Sequence, residues 1–159
     1  MASGHDIAMV LRAAYWAMHR CTEASLSQRA ATADQFVLLA LLAEQDGITQ
    51  QELVRRASSD ANTIRAMLVL LENRGFVTRE RHPTDGRARS VTLTRKGRRE
   101  YGRLWSQTEP VRQRLLGVLR RKDADRLAEY LSRITNAMVP ETRRGGRLWP
   151  TASAPGDHD

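Results

Sequence analysis

Sulfur chemistry is nearly missing from this chain. Cys21 is its one cysteine, so no internal disulfide framework can form, and a reducing compartment is the expectation. No apolar run approaches the ~20 residues that a membrane-spanning helix needs. The first residues also lack the pattern of a secretory leader. A cytoplasmic protein with no membrane partner is therefore expected. Groupings that carry catalysis are missing as well. The histidines (His5, His19, His82 and His158) are scattered, and none stands at ligand spacing to Cys21. His19 and Glu23, at i, i+4, are a weak metal candidate. There is no Gly-rich phosphate loop, no nucleophile elbow and no carboxylate pair in an apolar setting. Neither enzyme, cofactor nor metal is expected. No internal repeat is visible.

What the chain has in excess is positive charge. Its 159 residues carry a formal net charge of +8, nearly all of the cations being arginine. Such a balance favours an acidic polymer as partner, through counterion release and steering. Arginine suits bidentate contact with phosphate and guanine, although a genomic bias toward arginine would give the same count. The charge is local. From Arg74 to Arg103 there are ten Arg/Lys against three acids, a net of +7.

The stretch ending in that clump, Thr49 to Gly97, organises the rest. Thr49-Gln50-Gln51-Glu52 has the form of a capping box, and Leu53, Val54 and Ala57 give the short helix behind it one apolar face. Ser58-Ser59-Asp60 suits a turn and an N-cap. From Ala61 onward Ile64, Met67, Leu68 and Leu71 fall at helical spacing, Val69 and Leu70 widen the stripe, and Gly75 closes the helix in the left-handed region. Asn62, Thr63, Arg65 and Ala66 point away from that stripe. Polar, small and cationic groups at a helix start are what base edges and phosphates require, whereas an ordinary solvated face is the plain alternative. Two β-branched, alternating runs follow, residues 76–81 and 88–93, around His82-Pro83-Thr84-Asp85-Gly86-Arg87. They predict a basic hairpin in which Asp85 pairs with a neighbouring arginine and fixes the loop. Another arginine is then left to reach the narrow minor groove. Two short helices followed by a basic hairpin form a winged helix-turn-helix, with one helix for the major groove and a hairpin beside it.

The run LENRGFVTRERHPTDGRARSVTLTRKG resembles the centre of the MarR family of bacterial transcription regulators. The matching elements are Leu-Glu-x-x-Gly at the end of the recognition helix, Asp85-x-Arg87 in the wing, and Leu93-Thr94-x-x-Gly97 leading into the next helix. With the helical patterns on both sides, the resemblance extends over about residues 7–139. It implies a homodimer that binds a pseudo-palindromic operator in double-stranded DNA, most often a repressor released by a small ligand or an oxidant. Base contacts are then expected from Asn62, Thr63 and Arg65. Phosphate positioning is expected from Thr49, Gln50 and Arg74, and minor-groove contact from Arg87 or Arg89, with Asp85 orienting the wing.

The flanks read as helices. Ile7, Val10, Leu11, Ala14 and Met18 predict a first helix to about Cys21, residues 22–31 hold a connection, and Phe36, Leu39, Ala40 and Ala43 mark a second. Ile48 suits a small bridging strand. Thr94 caps a long helix in which Pro110 sits, read as one kinked helix with two helices as the alternative. Asp123 is read as the cap of a last helix with Leu127, Tyr130, Leu131, Ile134 and Met138 on its stripe. One chain has too little apolar surface to bury all the terminal helices, so a second copy is their natural partner.

The fold class is thus mainly α with a small β-wing. A single domain comprises helical dimerisation segments (about 7–31 and 98–139), a winged helix-turn-helix (32–97) and a flexible tail (140–159), onto whose body Leu148-Trp149 is expected to dock. By the resemblance, an effector site lies between the two lobes. Trp16, His19, Arg20 and Phe36 are candidates to line it for an aromatic or phenolic acid, set against plain core roles. Cys21 is the redox candidate that some members of the family use, set against an inert buried thiol. The remaining alternative is a non-specific architectural nucleic-acid-binding protein.

Overall fold

The computed structural model describes residues 1–138. Leu148-Trp149 lies outside them. Helix α1, Gly4–Leu26, opens with a complete capping box in which Ser3 and Asp6 satisfy each other's backbone amides. It runs about one turn past the expected end at Cys21. No helix breaker follows Cys21, and the Thr22 and Ser25 hydroxyls fold back onto the carbonyls of Met18 and Cys21. A 3-10 turn at Ser27–Arg29 leads to Ala30, whose φ of 49° is left-handed.

Helix α2, Ala33–Glu44, is the centre of the molecule: Ala33, Leu38, Leu39, Leu41 and Leu42 are all buried. Thr32 caps its start, and the Glu23 carboxylate of α1 accepts from the Ala33 amide at 2.7 Å. The chain then forms β1 (Ile48–Thr49), α3 (Gln50–Arg56), α4 (Ala61–Asn73), β2 (Val77–Arg81) and β3 (Arg89–Leu93). The expected bridging strand at Ile48 is present, pairing antiparallel with β3 in a sheet of order β1-β3-β2. The core lies where α2, α3, α4 and the sheet meet α5 (Arg95–Gln107), with Leu53, Ile64, Leu68, Leu71, Val91 and Leu104 closed off from solvent.

Among the described residues two helices follow α5, namely α6 (Glu109–Gly117) and α7 (Arg121–Met138). The break falls at Thr108, with Pro110 in the first turn of α6, so the two-helix alternative holds over one kinked rod. Proline costs nothing in a first turn, where its missing amide would have no partner. Asp123 does not cap α7 as expected. It sits inside the first turn, its carboxylate accepting from the Arg120 guanidinium at 2.5 Å. The terminal helices differ from α2 in their packing: in the single chain α6 and α7 have no buried residue, and α1 has only Leu26.

Candidate nucleic-acid interface

The turn between α3 and α4 is set by its caps. Thr49 accepts from the Glu52 amide, but Glu52 turns to Arg55 rather than back to Thr49, so the expected capping box is half formed. At the other end of α3 the Ser58 amide meets the Arg55 carbonyl and the Ser59 amide meets that of Val54, a Schellman closure with Ser58 at φ 49°. Asp60 then caps α4. Its carboxylate accepts from the Asn62 and Thr63 amides at 3.0 and 2.9 Å and from the Thr63 hydroxyl at 2.6 Å. The Thr63 hydroxyl, followed by the Thr63 amide, holds the Asp60 carboxyl below its ordinary value. Beneath the turn, Arg56 and Glu44 form a buried ion pair at 2.9 Å that ties α3 to α2. Burial nonetheless pushes the Glu44 carboxyl up, outweighing the nearby guanidinium.

Helix α4 buries Ile64, Leu68 and Leu71 and ends in a second Schellman closure. There the Phe76 amide reaches the Leu71 carbonyl and Gly75 stands at φ 74°. Asn62, Thr63, Arg65 and Ala66 face solvent as expected. Val69 and Leu70 do not join the buried stripe. They are 40% and 52% exposed, on the same outward side as Asn62 and Ala66. The three buried residues already fill the seam against the core, and at ~100° per residue positions 69 and 70 point past its edge.

Strands β2 and β3 pair from Val77↔Leu93 through Arg79↔Val91 to Arg81↔Arg89. Side chains of such pairs share a face. At the base this face is apolar and buried, through Val77, Val91 and Leu93. Toward the tip it becomes arginine. Arg79 reaches back to the Glu72 carboxylate on α4, with Nε at 2.9 Å, and this hydrogen bond is the main reason the Glu72 carboxyl lies below its ordinary value. Arg81 and Arg89 face each other directly, with no ion-pair partner among the described residues. Like charges opposed across a ladder cost up to about 1 kcal/mol, a cost that an anion seated between them would reverse. Arg81 escaped the sequence reading. The signal for it was the two-residue alternation from Val77 to Arg79 to Arg81.

The loop at the tip is organised differently from the expectation. Asp85 takes no arginine. Its carboxylate accepts from the Arg87 amide at 3.0 Å, and its carbonyl accepts from the Ala88 amide at 3.0 Å. An Asx turn satisfies the loop backbone at shorter range than a guanidinium could. The Arg87 side chain is exposed and free of ion pairs among the described residues, as is Arg65. Arg74 is not free: it donates to the Ala30 carbonyl at 3.2 Å and lies over the Phe76 ring at 4.7 Å. The left-handed Ala30 presents an orphan carbonyl there, which Arg74 answers. Thr49 and Gln50 are half-buried at the start of α3.

The remaining candidates fall into separate groups. Trp16 and His19 make an edge contact at 5.5 Å, with Tyr15 against both, on the exposed face of α1. Phe36 instead stacks on Tyr101 at 6.0 Å, and Tyr101 meets Trp105 at 5.9 Å. Burial pushes the Tyr101 phenol up to about 12, with help from the Glu44 charge. The single chain therefore does not join Trp16 and Phe36 in one cluster. Arg20 is exposed, and the half-buried Cys21 has Arg114 Nη1 at 3.9 Å from its Sγ. No group of three potential metal ligands, and no helix long and apolar enough to cross a membrane, occurs among the described residues.

Residues 31–88, the span of α2, α3, α4 and most of the wing, match the sequence profile of the MarR family. The chain is 31% identical over 106 residues to the transcriptional regulator HosA of Escherichia coli O111:H-, covering 67% of this chain and 78% of that one. In fold it is similar to a MarR-family transcriptional regulator from Rhodococcus sp. RHA1, with TM-score 0.76 and 20% identity over 88% of this chain and 99% of the other. It is also similar to the transcriptional repressor CouR bound to a 23-mer DNA duplex, with TM-score 0.71 and 29% identity over 79% and 89% of the two chains. A capped recognition helix, an arginine-tipped wing and these relatives agree: the chain belongs to the MarR family of DNA-binding transcriptional regulators.

Proposed function

We propose that this protein is a sequence-specific, homodimeric repressor, each subunit placing α4 in a major groove and its wing in the flanking minor groove of a pseudo-palindromic operator. The observation that carries the proposal is the exposed Arg81/Arg89 pair, without an ion pair among the described residues, on a wing that Arg79 ties to Glu72 of α4. Cations that form no ion pair among the described residues, on a hairpin tied to the helix that exposes Asn62 and Arg65, fit a polyanion whose groove is read between its phosphates. In this reading Asn62, Thr63 and Arg65 contact bases, Arg87 enters the minor groove, and Arg81 and Arg89 clasp a phosphate. Thr49 and Gln50 lie at the start of α3, where backbone amides suit a further phosphate.

The second subunit covers the apolar faces of α1, α6 and α7, where Val10, Leu116, Val118 and Tyr130 are more than half exposed in the single chain. Two-fold symmetry then sets half-sites about one helical turn, roughly 10 bp, apart. The aromatic group of exposed Tyr15 and Trp16 with half-buried His19 favours an aromatic molecule as the releasing effector.

Selection from a random duplex library at physiological salt, with purified protein, tests the reading. Enrichment of an inverted repeat is the expected result. Salt-sensitive binding without enrichment would reduce the protein to a backbone binder and overturn the base contacts.

A further inference from the structure

The outward side of α4 is not a polar surface. At about 100° per residue, Asn62, Ala66, Val69 and Asn73 fall on one narrow strip opposite the buried seam, and all four are exposed. Thr63 and Leu70 share the flank farther from the wing, whereas Arg65 and Glu72 share the nearer one, where Glu72 holds Arg79. Thr63 differs from what its residue type suggests. Its hydroxyl proton is taken by Asp60 at 2.6 Å, so toward a partner the hydroxyl can only accept, and the methyl beside it is its apolar contact group. The strip therefore has an apolar middle (Ala66, Val69) between amide ends, with the Thr63 methyl on the flank beside it and Arg65 on the wing side.

That arrangement matches the major groove of a thymine-containing site, whose floor carries C5-methyl groups and whose walls are phosphate. A protein partner would match the apolar centre only if it also set acids against Arg65, Arg81 and Arg89, whereas a duplex brings phosphates beside its methyl groups by its own geometry. We propose that the centre of α4 reads thymine methyl groups, through the Thr63 methyl, Ala66 and Val69, so that operator preference depends on methyl contacts as well as on hydrogen bonds. This inference rests on the DNA-reading function proposed above and assigns the base chemistry that the function selects.

The test uses the full-length protein and the half-site enriched from the random library. Replacing thymine by deoxyuridine removes the methyl and leaves every hydrogen-bonding group of the base pair in place. Affinity at matched salt is expected to fall about fourfold for each contacted methyl. Two variants carry the assignment to side chains. Thr63→Ser keeps the hydroxyl for Asp60 and loses the methyl, and Val69→Ala loses the branched tip while raising helix propensity, so weaker binding would not reflect a frayed helix. Each is expected to bind thymine DNA more weakly and uracil DNA unchanged, so that the thymine-to-uracil ratio shrinks. Equal binding of the two DNAs by the unaltered protein overturns the inference. Variants that retain the full ratio overturn it too, as does an enriched half-site without thymine. A library that yields no enriched sequence fails the DNA-reading function itself, and so is distinguishable from a selected site that ignores the methyl.

Discussion

Gly97 leaves no room for a methyl group: a Cβ there would stand 2.0 Å from the Phe76 carbonyl oxygen. The seam it occupies is closed by Thr94, whose hydroxyl accepts from the Gly97 amide at 2.9 Å and donates to the Gly75 carbonyl at 2.7 Å. Gly97→Ala is expected to cost about 2–3 kcal/mol in denaturant unfolding at fixed protein concentration, because backbone rather than a pliable side chain must move. Ser58 is the opposite case. Its left-handed φ of 49° is a conformation that suits glycine, and Ser58→Gly is expected to stabilise the protein by about 1 kcal/mol, read as a higher midpoint in the same experiment. Gly75 and Thr94 were legible in the sequence because the helix ends they close lie beside them, and Gly97 through the motif it completes with Thr94; the contacts that Thr94 and Gly97 make with Gly75 and Phe76, about twenty residues away, were not. Arg74 was not. Its partner, the Ala30 carbonyl, lies 44 residues away, and nothing local marks that carbonyl as unpaired.

Among the elements, the recognition helix and wing behave as one unit through the Arg79–Glu72 ion pair. Glu72 is an acid whose folded value is depressed. Its contribution is therefore fully present above the ordinary carboxylate value of 4.5 and is lost as pH falls below it, when the folded carboxyl takes up its proton. Acid unfolding curves of Glu72→Gln and of the unaltered protein should accordingly converge below about pH 4 and separate above it. At neutral pH the variant should bind DNA a few-fold more weakly with its sequence preference intact, since a loosened wing affects positioning rather than base readout. The helix-turn-helix, the wing and the bridging strand at Ile48 could all be read from caps, turns and alternation. The outward placement of Val69 and Leu70 was missed because both are apolar, although 100° per residue already sets them more than 100° from the middle of the Ile64, Leu68 and Leu71 stripe. The break at Thr108 lay between two readings for another reason: Pro110 is as compatible with a first turn as with a kink.

At the scale of the whole molecule, a reading head with a closed core is joined to helices whose apolar faces are open in the single chain. Leu131, on α7, is 37% exposed there, so Leu131→Glu should leave the subunit folded while placing an unpaired charge in the proposed interface. Sedimentation is expected to show monomers. Operator affinity should fall roughly tenfold or more as the two half-sites lose their linkage. A dimer of unchanged mass would remove α7 from the interface. The crowding at Gly97 has a consequence for how the chain can change in length. One residue inserted between Thr94 and Gly97 would turn the rest of α5 by roughly 100°. The buried Tyr101 and Leu104 would rotate out of the core, and the Thr94 hydroxyl could no longer reach both of its partners. Between Pro83 and Arg87, where all five residues are exposed, added residues would only lengthen the wing. Insertions among proteins built this way should therefore collect at the hairpin tip and stay out of the seam.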